Sequence, residues 1–488
     1  MQRGLTGKRI ALSGRGGEKG QTILLIAISI VALLAMAALA IDVVSLYVAK
    51  SEIQRAADAV ALAGAKAIAD SGVTTLPPGD TTNLPPAETL AQSMANAAIT
   101  ALLSASPGNA NLVSGQTPTL VGTPTFDFTT HGNSNPTITV TLQQTNLPTF
   151  FARIFARMSA IAQATATAEA YNPNNMQTEQ GSFTPIAPRC VKPWLMANGD
   201  PTAPTAQNNG DTLPPLIDEA SGLVVQSNLA NFIGNSFYLT ANCNPPGNPA
   251  CTGLYASPEN KQGGIAGQSP PYQAAYYMPA TVAPTNLYAP TCANTLSPYA
   301  QVVAGCDSTP YSWTQCGGTT TNLLWDPTKN PAQGSKGSGG SDANADTALG
   351  AECLLGLPSP GGTGAGQGQD EISYPSPGWP TNPPQITVRS GAQAGNVVTT
   401  SNSIVTIPII GNQPLSSTNR SVTVVGFLQA FINFIGYDTG SGSANQDYAD
   451  INITVMNVVG CGQTANGNPA VVGGNGASAI PVRLITPP

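Results

Sequence analysis

The stretch ILLIAISIVALLAMAALAI, residues Ile23–Ile41, decides how this chain is organised. It runs for 19 residues with one polar member, Ser29. At a rise of ~1.5 Å per residue, a helix of this length just spans a hydrocarbon layer of about 30 Å. The pattern predicts a transmembrane helix over residues 22–41. Its large apolar residues are Ile23, Leu24, Leu25, Ile26, Ile28, Ile30, Val31, Leu33, Leu34, Leu39 and Ile41.

Two interpretations of this segment compete. The triplet Ala38-Leu39-Ala40 fits the small-x-small rule of a signal peptidase site, which would release the chain after Ala40. Against cleavage, the apolar core is longer than the ~7–15 residues usual in a signal peptide. The helical pattern also continues, because residues 42–70 contain no proline and keep an apolar stripe. We favour a retained anchor within one helix of about 45–50 residues.

The charges around this segment predict its orientation. Five of the 18 Lys and Arg residues lie within residues 1–21, together with a single acid, Glu18. Basic residues stay on the cytoplasmic side of an apolar segment. We therefore expect a single-pass inner-membrane protein with a cytoplasmic N-terminus and a body in the periplasm or outside the cell.

The residues around the apolar run form an ordered string. Glu18-Lys19-Gly20-Gln21 precedes the run, Asp42 closes it, and Leu46-Tyr47-Val48-Ala49 and IQRAADAVALAGA (residues 53–65) follow. This order and spacing resemble the N-terminal domain of TadG-like proteins of Tad/Flp (tight-adherence) pilus assembly. The residues that carry the resemblance most specifically are Asp42, Tyr47, Ala56, Ala57, Asp58, Leu62, Gly64 and Ala65.

The resemblance implies a bacterial envelope protein whose partners are the inner membrane and other pilus-assembly proteins. Related TadE-like and TadF-like pseudopilins carry a Glu five residues after a processed glycine. Counted from Gly20, that position is Leu25 here, so the resemblance favours the anchored, unprocessed TadG-like branch. The alanine-rich stretch suits close approach of a neighbouring element, or it reflects only the helix preference of alanine.

Composition excludes several classes of protein. Charged residues make up 9% of the chain, against about 25% in typical globular domains. Gly (51) and Pro (43) are abundant. A sequence pI near 4.7 gives no basic footprint for nucleic acid. This composition indicates a loop-rich exported β protein and argues against a cytosolic enzyme or a nucleic-acid binder.

The number and spacing of the eight cysteines agree with an exported protein. Their number is even and none are spaced as C-x-x-C, which favours disulfides over a zinc site, with reduced structural thiols as the alternative. The short separations Cys243/Cys251 and Cys306/Cys316 suggest local loop closures. The candidate disulfide cysteines are Cys190, Cys243, Cys251, Cys292, Cys306, Cys316, Cys353 and Cys461.

The expected fold class is α+β. A long transmembrane helix should continue into a pilin-like helix-plus-sheet module, followed by a loop-rich, mainly β, disulfide-containing exported domain. Helices are expected over residues 87–104 and 150–158. Alternation of apolar and polar residues predicts strands at 137–142, 163–170, 403–410, 421–435, 450–455 and 480–485. The last four suggest a β-sandwich-like end, either on their own or shared with strands from the middle of the chain.

Shifts in composition divide the chain into five parts. The proposed boundaries give a basic head (1–21), the transmembrane helix (22–41), the TadG-like module (42–172), a Pro/Gly/Asn/Thr-rich region with cysteines (173–400) and a β-rich end (401–488). We expect long loops and isolated short strands in the fourth part.

Motifs of catalysis are absent from the sequence. The single histidine, His131, lies in a Thr-His-Gly-Asn loop, and there is no G-x-S-x-G elbow, Walker loop or G-x-G-x-x-G after a strand. The D-x-S-x-S metal string of von Willebrand type A domains, which some TadG-like proteins carry, is also missing. We expect no enzyme activity, no cofactor and no metal centre.

Two weaker binding signals have less specific explanations. Asp438, Asp447 and Asp450 could bind calcium, but solvated loop acids are the favoured interpretation. A set of aromatic residues could form a sugar- or protein-binding surface, although core packing is favoured. This set is Trp194, Trp313, Trp325, Tyr276 and Tyr277.

The sequence thus predicts a non-enzymatic, membrane-anchored envelope protein that acts in pilus assembly, secretion or adhesion through protein–protein contacts. The alternative is a secreted adhesin or carbohydrate-binding surface protein, released by signal cleavage.

Overall fold

The structure is a computed structural model of the chain. It describes residues 18–75, 84–104, 118–130, 135–149, 151, 159–170, 172, 186–187, 190–203, 213–220, 222, 224–225, 232–240, 274–282, 287–293, 295–307, 319–326, 343–357, 366–373, 385–391, 393–398, 401–411, 420–437, 449–460, 471–472, 480 and 482–485.

Helices and strands alternate irregularly along the described residues. The α-helices are α1 (Glu18–Asp70), α2 (Leu84–Ser104), α3 (Pro298–Ala304) and α4 (Ala343–Leu354), and 3-10 turns lie at Val73–Thr75 and Thr291–Ala293. The strands are β1 (Thr119–Leu120), β2 (Thr125–Asp127), β3 (Thr137–Pro148), β4 (Ser159–Ala170), β5 (Ile186–Ala187), β6 (Trp194–Ala197), β7 (Ser236–Thr240), β8 (Ala274–Pro279), β9 (Leu287–Tyr288), β10 (Cys306–Asp307), β11 (Thr319–Leu324), β12 (Gly366–Gln367), β13 (Asp370–Ser373), β14 (Gln385–Val388), β15 (Val397–Val398), β16 (Ile404–Ile410), β17 (Ser421–Tyr437), β18 (Ala449–Gly460), β19 (Val471–Val472) and β20 (Val482–Ile485).

The chain divides into two compact units. The first comprises Met1–Ala56, Gly108–Leu120 and Leu142–Ala164, and the second Ala57–Pro107, Val121–Thr141 and Thr165–Pro488. In the first unit, β1 pairs antiparallel with the later part of β3, Thr119 opposite Gln143.

The second unit contains a small antiparallel sheet near the end of α1. The first half of β3 pairs with β2, and the last residues of β4 pair with β20. Thr139 and Thr141 of β3 hydrogen-bond to Thr167 and Thr165 of β4 at 2.9 and 3.0 Å. This sheet therefore joins β20, the last strand of the described chain, to β3 and β4.

Six further strands of the second unit form a closed ring. The order is β17-β16-β6-β8-β7-β18, and β18 pairs back onto β17. Most pairs are antiparallel, but β16 with β6 and β7 with β8 are parallel. β11 and β12 add to β17 at the outside of the ring. The ring therefore joins strands from residues 194–279 with strands from residues 404–460.

One face of these strands supplies the main core. Alternate residues point into it, for example Ile451, Ile453 and Val455 of β18, and the helices α3 and α4 add Tyr299 and Ala351. Burying large apolar side chains contributes roughly 1.5–3 kcal/mol each. Its largest fully buried members include Trp194, Phe232, Phe237 and Tyr277.

The other face carries a smaller apolar cluster. Phe431 and Met456 point away from the main core and pack with Ile386 and Ile404. Ile386 belongs to the short sheet β13-β14-β15, which lies over this face. The ring is thus covered in part on its outer side.

Several predictions are confirmed. The long N-terminal helix, the helix after Pro85 and Pro86 and the strands at β3, β4, β16, β17, β18 and β20 lie where the patterns indicate, within an α+β fold with a mostly β C-terminal part. Apart from Phe151, the residues of the helix expected over 150–158 lie outside the described residues.

Two expectations need correction. The C-terminal strands β16–β18 do share a sheet with the middle strands β6–β8, but they form a closed ring with them, and the last strand, β20, joins the sheet of β3 and β4 instead. The middle of the chain also holds more than isolated strands. Its strands β6 and β8 belong to the ring and are buried on both faces, so they lack alternation. Strand β7 and the helices α3 and α4 were not predicted either.

Candidate membrane anchor and helix-end network

The first half of α1 presents apolar side chains to the surroundings. Leu24, Leu33 and Leu39 are 62%, 65% and 54% exposed. By length and composition, α1 is the helix among the described residues that could cross a membrane. Its polar member, Ser29, donates its hydroxyl to the carbonyl of Leu25 at 2.7 Å, so no polar group of this side chain needs water.

Asp42 marks the end of the apolar run. It is buried within the first unit, and its carboxylate accepts a hydrogen bond from the backbone N–H of Phe151 at 3.0 Å. The hydroxyl of Ser45 donates to the backbone carbonyl of Asp42 at 2.8 Å. The aspartate therefore ties α1 to the segment that follows β3.

The other residues of the TadG-like string lie on two sides of the helix. Ala57, Gly64 and Ala65 are buried. Ala56, Asp58 and Leu62 are half-buried, whereas the side chain of Tyr47 is 75% exposed. The small residues thus face the protein, and the aromatic residue just beyond the apolar run faces outward.

Gly64 brings α1 close to its neighbours within the second unit. A Cβ atom at this position would lie 2.6 Å from Cδ1 of Ile138 on β3 and 3.4 Å from Cδ1 of Ile99 on α2. This spacing leaves no room for a larger side chain. The close-approach interpretation of the alanine-rich stretch therefore has a structural basis at Gly64.

The C-terminal end of α1 is joined to the strand ring by buried polar groups, which we call the helix-end network: Lys66, Asp70, Gln429 and Asn457. Lys66 donates to the carboxylate of Asp70 one turn later. Nε2 of Gln429 on β17 donates to Oδ1 of Asp70 at 3.0 Å. Lys66 and Gln429 therefore provide hydrogen-bond donors for the buried Asp70 carboxylate at the end of α1.

Asn457 of β18 completes this network. Its Nδ2 group donates to the backbone carbonyl of Ala69 and to Oε1 of Gln429, the latter at 3.0 Å. A helix end carries carbonyls without intrahelical partners, and Asn457 satisfies one of them. Neighbouring residues add a further contact, since Nδ2 of Asn172 donates to the carbonyl of Thr74 at 3.2 Å.

Burial raises the pKa of Asp70, because removal from water disfavours the carboxylate. The ammonium of Lys66 and the amide of Gln429 act in the opposite direction. The effect of burial is the larger one, so the pKa of the Asp70 carboxyl stays above its ordinary value despite these two partners.

Sequence reasoning missed Gln429 and Asn457. Both are polar residues inside long strands that are otherwise apolar, and both are fully buried. A buried polar side chain needs a hydrogen-bonding partner, so such interruptions are a usable signal. The partner itself could not be inferred, because Asn457 contacts a residue 388 positions away.

A second buried charge lies at the end of α3. Nζ of Lys192 donates to the carbonyls of Val303 and Gly305, each at 2.7 Å. Burial lowers the pKa of Lys192 to about 7. Carbonyls at a helix C-terminus attract a cation. The buried Lys192 therefore acts as a structural cap at the end of α3.

Two disulfides are present among the described cysteines. Cys190 pairs with Cys306, next to the Lys192 cap, and Cys292 pairs with Cys353 on α4. The loop closure suggested for Cys306 with Cys316 is therefore wrong, because proximity in the fold and not in the sequence selects the partner. Cys243, Cys251, Cys316 and Cys461 lie outside the described residues.

The weaker binding signals find little support. Trp194, Trp325 and Tyr277 are buried, which confirms core packing for these three. Trp313 lies outside the described residues, and so do Asp438 and Asp447, while Asp450 lies on β18. Within the described part of the chain, no three His, Cys, Asp or Glu side chains cluster as a metal site would require.

Comparison with known proteins addresses the N-terminal segment. No curated protein and no solved structure matches the chain. A family model does match: residues 20–67, which hold the exposed apolar run, Asp42 and the buried small residues, fit the Tad family, described as putative Flp pilus-assembly TadE/G-like.

Proposed function

We propose that this is a non-enzymatic, membrane-anchored envelope protein of the Tad/Flp pilus assembly type. It contributes to pilus assembly, secretion or adhesion through protein–protein contacts. The observation that carries the proposal is the change along α1, from exposed large apolar residues to buried small residues within the segment that matches the Tad family.

The two parts of α1 have different tasks in this proposal. Residues 22–41 lie in the inner membrane, with the basic N-terminus in the cytoplasm. Beyond Asp42, the exposed side chains Val43, Val44 and Tyr47 contact other Tad proteins. The helix and the strands around Ile138 then form the pilin-like module.

The remaining body lies in the periplasm or outside the cell, where the disulfides Cys190–Cys306 and Cys292–Cys353 persist. It acts as a spacer or binding head for pilus components or for the cell surface. No nucleic acid is among its partners, because the chain carries a net charge of −7.

Fractionation of cells that express a C-terminally tagged chain tests this proposal. We expect the tag in the inner-membrane fraction, resistant to carbonate extraction and accessible to protease from the periplasmic side only. Affinity purification after crosslinking should recover other Tad proteins with the full chain and not with a chain that lacks residues 20–67. A soluble product that begins at Ile41 would instead support the secreted adhesin.

A further inference from the structure

A polar cleft of about 550 Å³ opens on the side of the strand ring opposite the main core. Its floor consists of residues at one end of β7, β17 and β18, and its wall consists of β13 and the residue that follows β14. The volume lies within the range of about 300–1,000 Å³ typical of small-molecule sites. The cleft belongs to the second unit and uses none of the residues that match the Tad family.

The floor of the cleft is a fixed array of amides and hydroxyls. Nδ2 of Asn433 donates to Oδ1 of Asn452 at 2.7 Å and to Oγ1 of Thr454 at 2.8 Å. Thr454 is in turn hydrogen-bonded to Ser236 at 2.7 Å. Oδ1 of Asn452 is the acceptor in this pair, so its Nδ2 group takes no part in it. The floor therefore holds amide and hydroxyl groups whose positions are set before any ligand arrives.

The wall adds the guanidinium group of Arg389 and the two carboxylates of Asp370 and Glu371. Nε of Arg389 lies 3.3 Å from Oε2 of Glu371, and these side chains remain 34% and 61% exposed. The contact joins one nitrogen and one oxygen, so it does not involve the terminal guanidinium nitrogens or Oε1. Beside them, Asp370 is held by the hydroxyl of Ser401 at 2.5 Å.

The cleft also contains one aromatic ring. Phe434 is half-buried at the floor and packs edge-on against Tyr238, with ring centres 5.9 Å apart and an angle of 75°. This contact fixes the orientation of the ring. The negative face of an aromatic ring attracts the polarised C–H groups of a ligand that stacks on it.

We propose that this cleft binds a short, uncharged oligosaccharide. Sugar hydroxyls both donate and accept, so they match a site lined by amide, hydroxyl, guanidinium and carboxylate groups. The lining is too polar for a lipid. Its one cation is already paired with Glu371, which disfavours phosphate. The inference goes beyond the proposed function and does not depend on the membrane anchor.

The test applies the detergent-solubilised full chain to a printed glycan array that carries neutral, acidic and N-acetylated oligosaccharides. Bacterial cell-wall fragments and animal and plant surface glycans form separate arms, which distinguish the cell's own wall from a foreign surface. Calorimetry then measures affinity for the glycans retained. We expect a preference for neutral over acidic oligosaccharides in at least one arm.

Two exposed substitutions link binding to the cleft. Glu371→Ala and Arg389→Met should each weaken binding at least tenfold without a change in the melting temperature. Gln393→Ala, in the exposed turn between β14 and β15, is the matched control and should bind as the unaltered chain does. No glycan bound in any arm, or equal affinity for all three variants, would overturn the proposal.

Discussion

The two halves of α1 show how one helix serves two environments. Residues 23–47 are mostly apolar, large and exposed, whereas residues 49–70 are mostly small, and their inward side is buried. An exposed apolar surface is stable only in a membrane or against a partner. A buried stripe of small residues permits contact between backbones. The difference shows that side-chain size, and not hydrophobicity alone, separates the anchor from the packed segment.

The largest effect should follow from charge placed in the exposed half. Arginine at the centre of a membrane helix costs about 2.5–3.5 kcal/mol, so Leu33→Arg/Leu34→Arg should cost about 5–7 kcal/mol and prevent insertion. Carbonate extraction of membranes measures the result. Ala59→Arg introduces the same charge on the exposed side of the second half and should leave insertion intact. Retention of the double variant in the membrane fraction would contradict the assignment of the exposed half of α1 to the membrane.

Bulk placed in the buried half should have the next largest effect. Gly64→Leu would force α1 away from Ile138, since even a Cβ atom there lies 2.6 Å from this side chain. Overpacking of this kind should lower the free energy of unfolding by about 3 kcal/mol. Denaturant unfolding of the detergent-solubilised chain measures it. Ala63→Leu, at a half-buried neighbour, is the control, and equal losses in both variants would argue against a specific close approach.

Loss of the asparagine in the helix-end network should cost less. Asn457→Ala leaves the carbonyl of Ala69 and Oε1 of Gln429 buried without this donor. We expect a loss of about 2 kcal/mol in the free energy of unfolding. Asn96→Ala, at an exposed position of α2, removes the same amide where water surrounds it and should change little. An unchanged denaturation midpoint for the Asn457 variant would show that the network does not hold the helix end.

The pH dependence of the free energy of unfolding should report the raised pKa of Asp70. Burial raises its pKa in the folded protein above the ordinary value of 3.8. The folded state then binds more protons than the unfolded state above pH 3.8, and the free energy of unfolding falls as pH rises through the folded pKa. The slope is at most ~1.4 kcal/mol per pH unit for one proton. Asp70→Asn removes this proton and should flatten the profile; a profile identical to that of the unaltered chain would contradict the assignment.

The smallest effect on folding should come from Tyr47, which is 75% exposed. Tyr47→Ser should change the free energy of unfolding by less than about 0.5 kcal/mol. If Tyr47 contacts a Tad partner, the same variant should reduce crosslinked recovery of that partner. Recovery equal to that of the unaltered chain would remove Tyr47 from the contact surface and leave the anchor itself unaffected.

Local patterns predicted the elements whose signals are periodic. The apolar run before Asp42 predicts α1, and strict alternation predicts β3 and β18, because alternate apolar residues of each strand, such as Ile138 and Ile453, are fully buried. The strands β6 and β8 are apolar and buried on both faces, so they show no alternation. Their partners lie far away in the sequence, as for Ile409 of β16 beside Met196 of β6.

The candidate site was predictable to a similar degree. The Tad signature follows from spacing within a single helix, where neighbours are fixed by geometry. The contacts of Asp70 with Gln429 and of Cys190 with Cys306 depend on how remote segments meet. No periodic signal encodes such pairs, and eight cysteines allow 105 pairings.

The hydrogen bond between Ala69 and Asn457 also has a consequence for biosynthesis. These residues are 388 positions apart, and ribosomes add ~5–20 residues per second. The end of α1 therefore waits about 20–80 s for its partner after its own synthesis. During this interval the end of α1 lacks the hydrogen bonds that Gln429 and Asn457 later make to Asp70 and Ala69. Translation that stops before Asn457 yields an inserted anchor whose helix end stays open to envelope proteases.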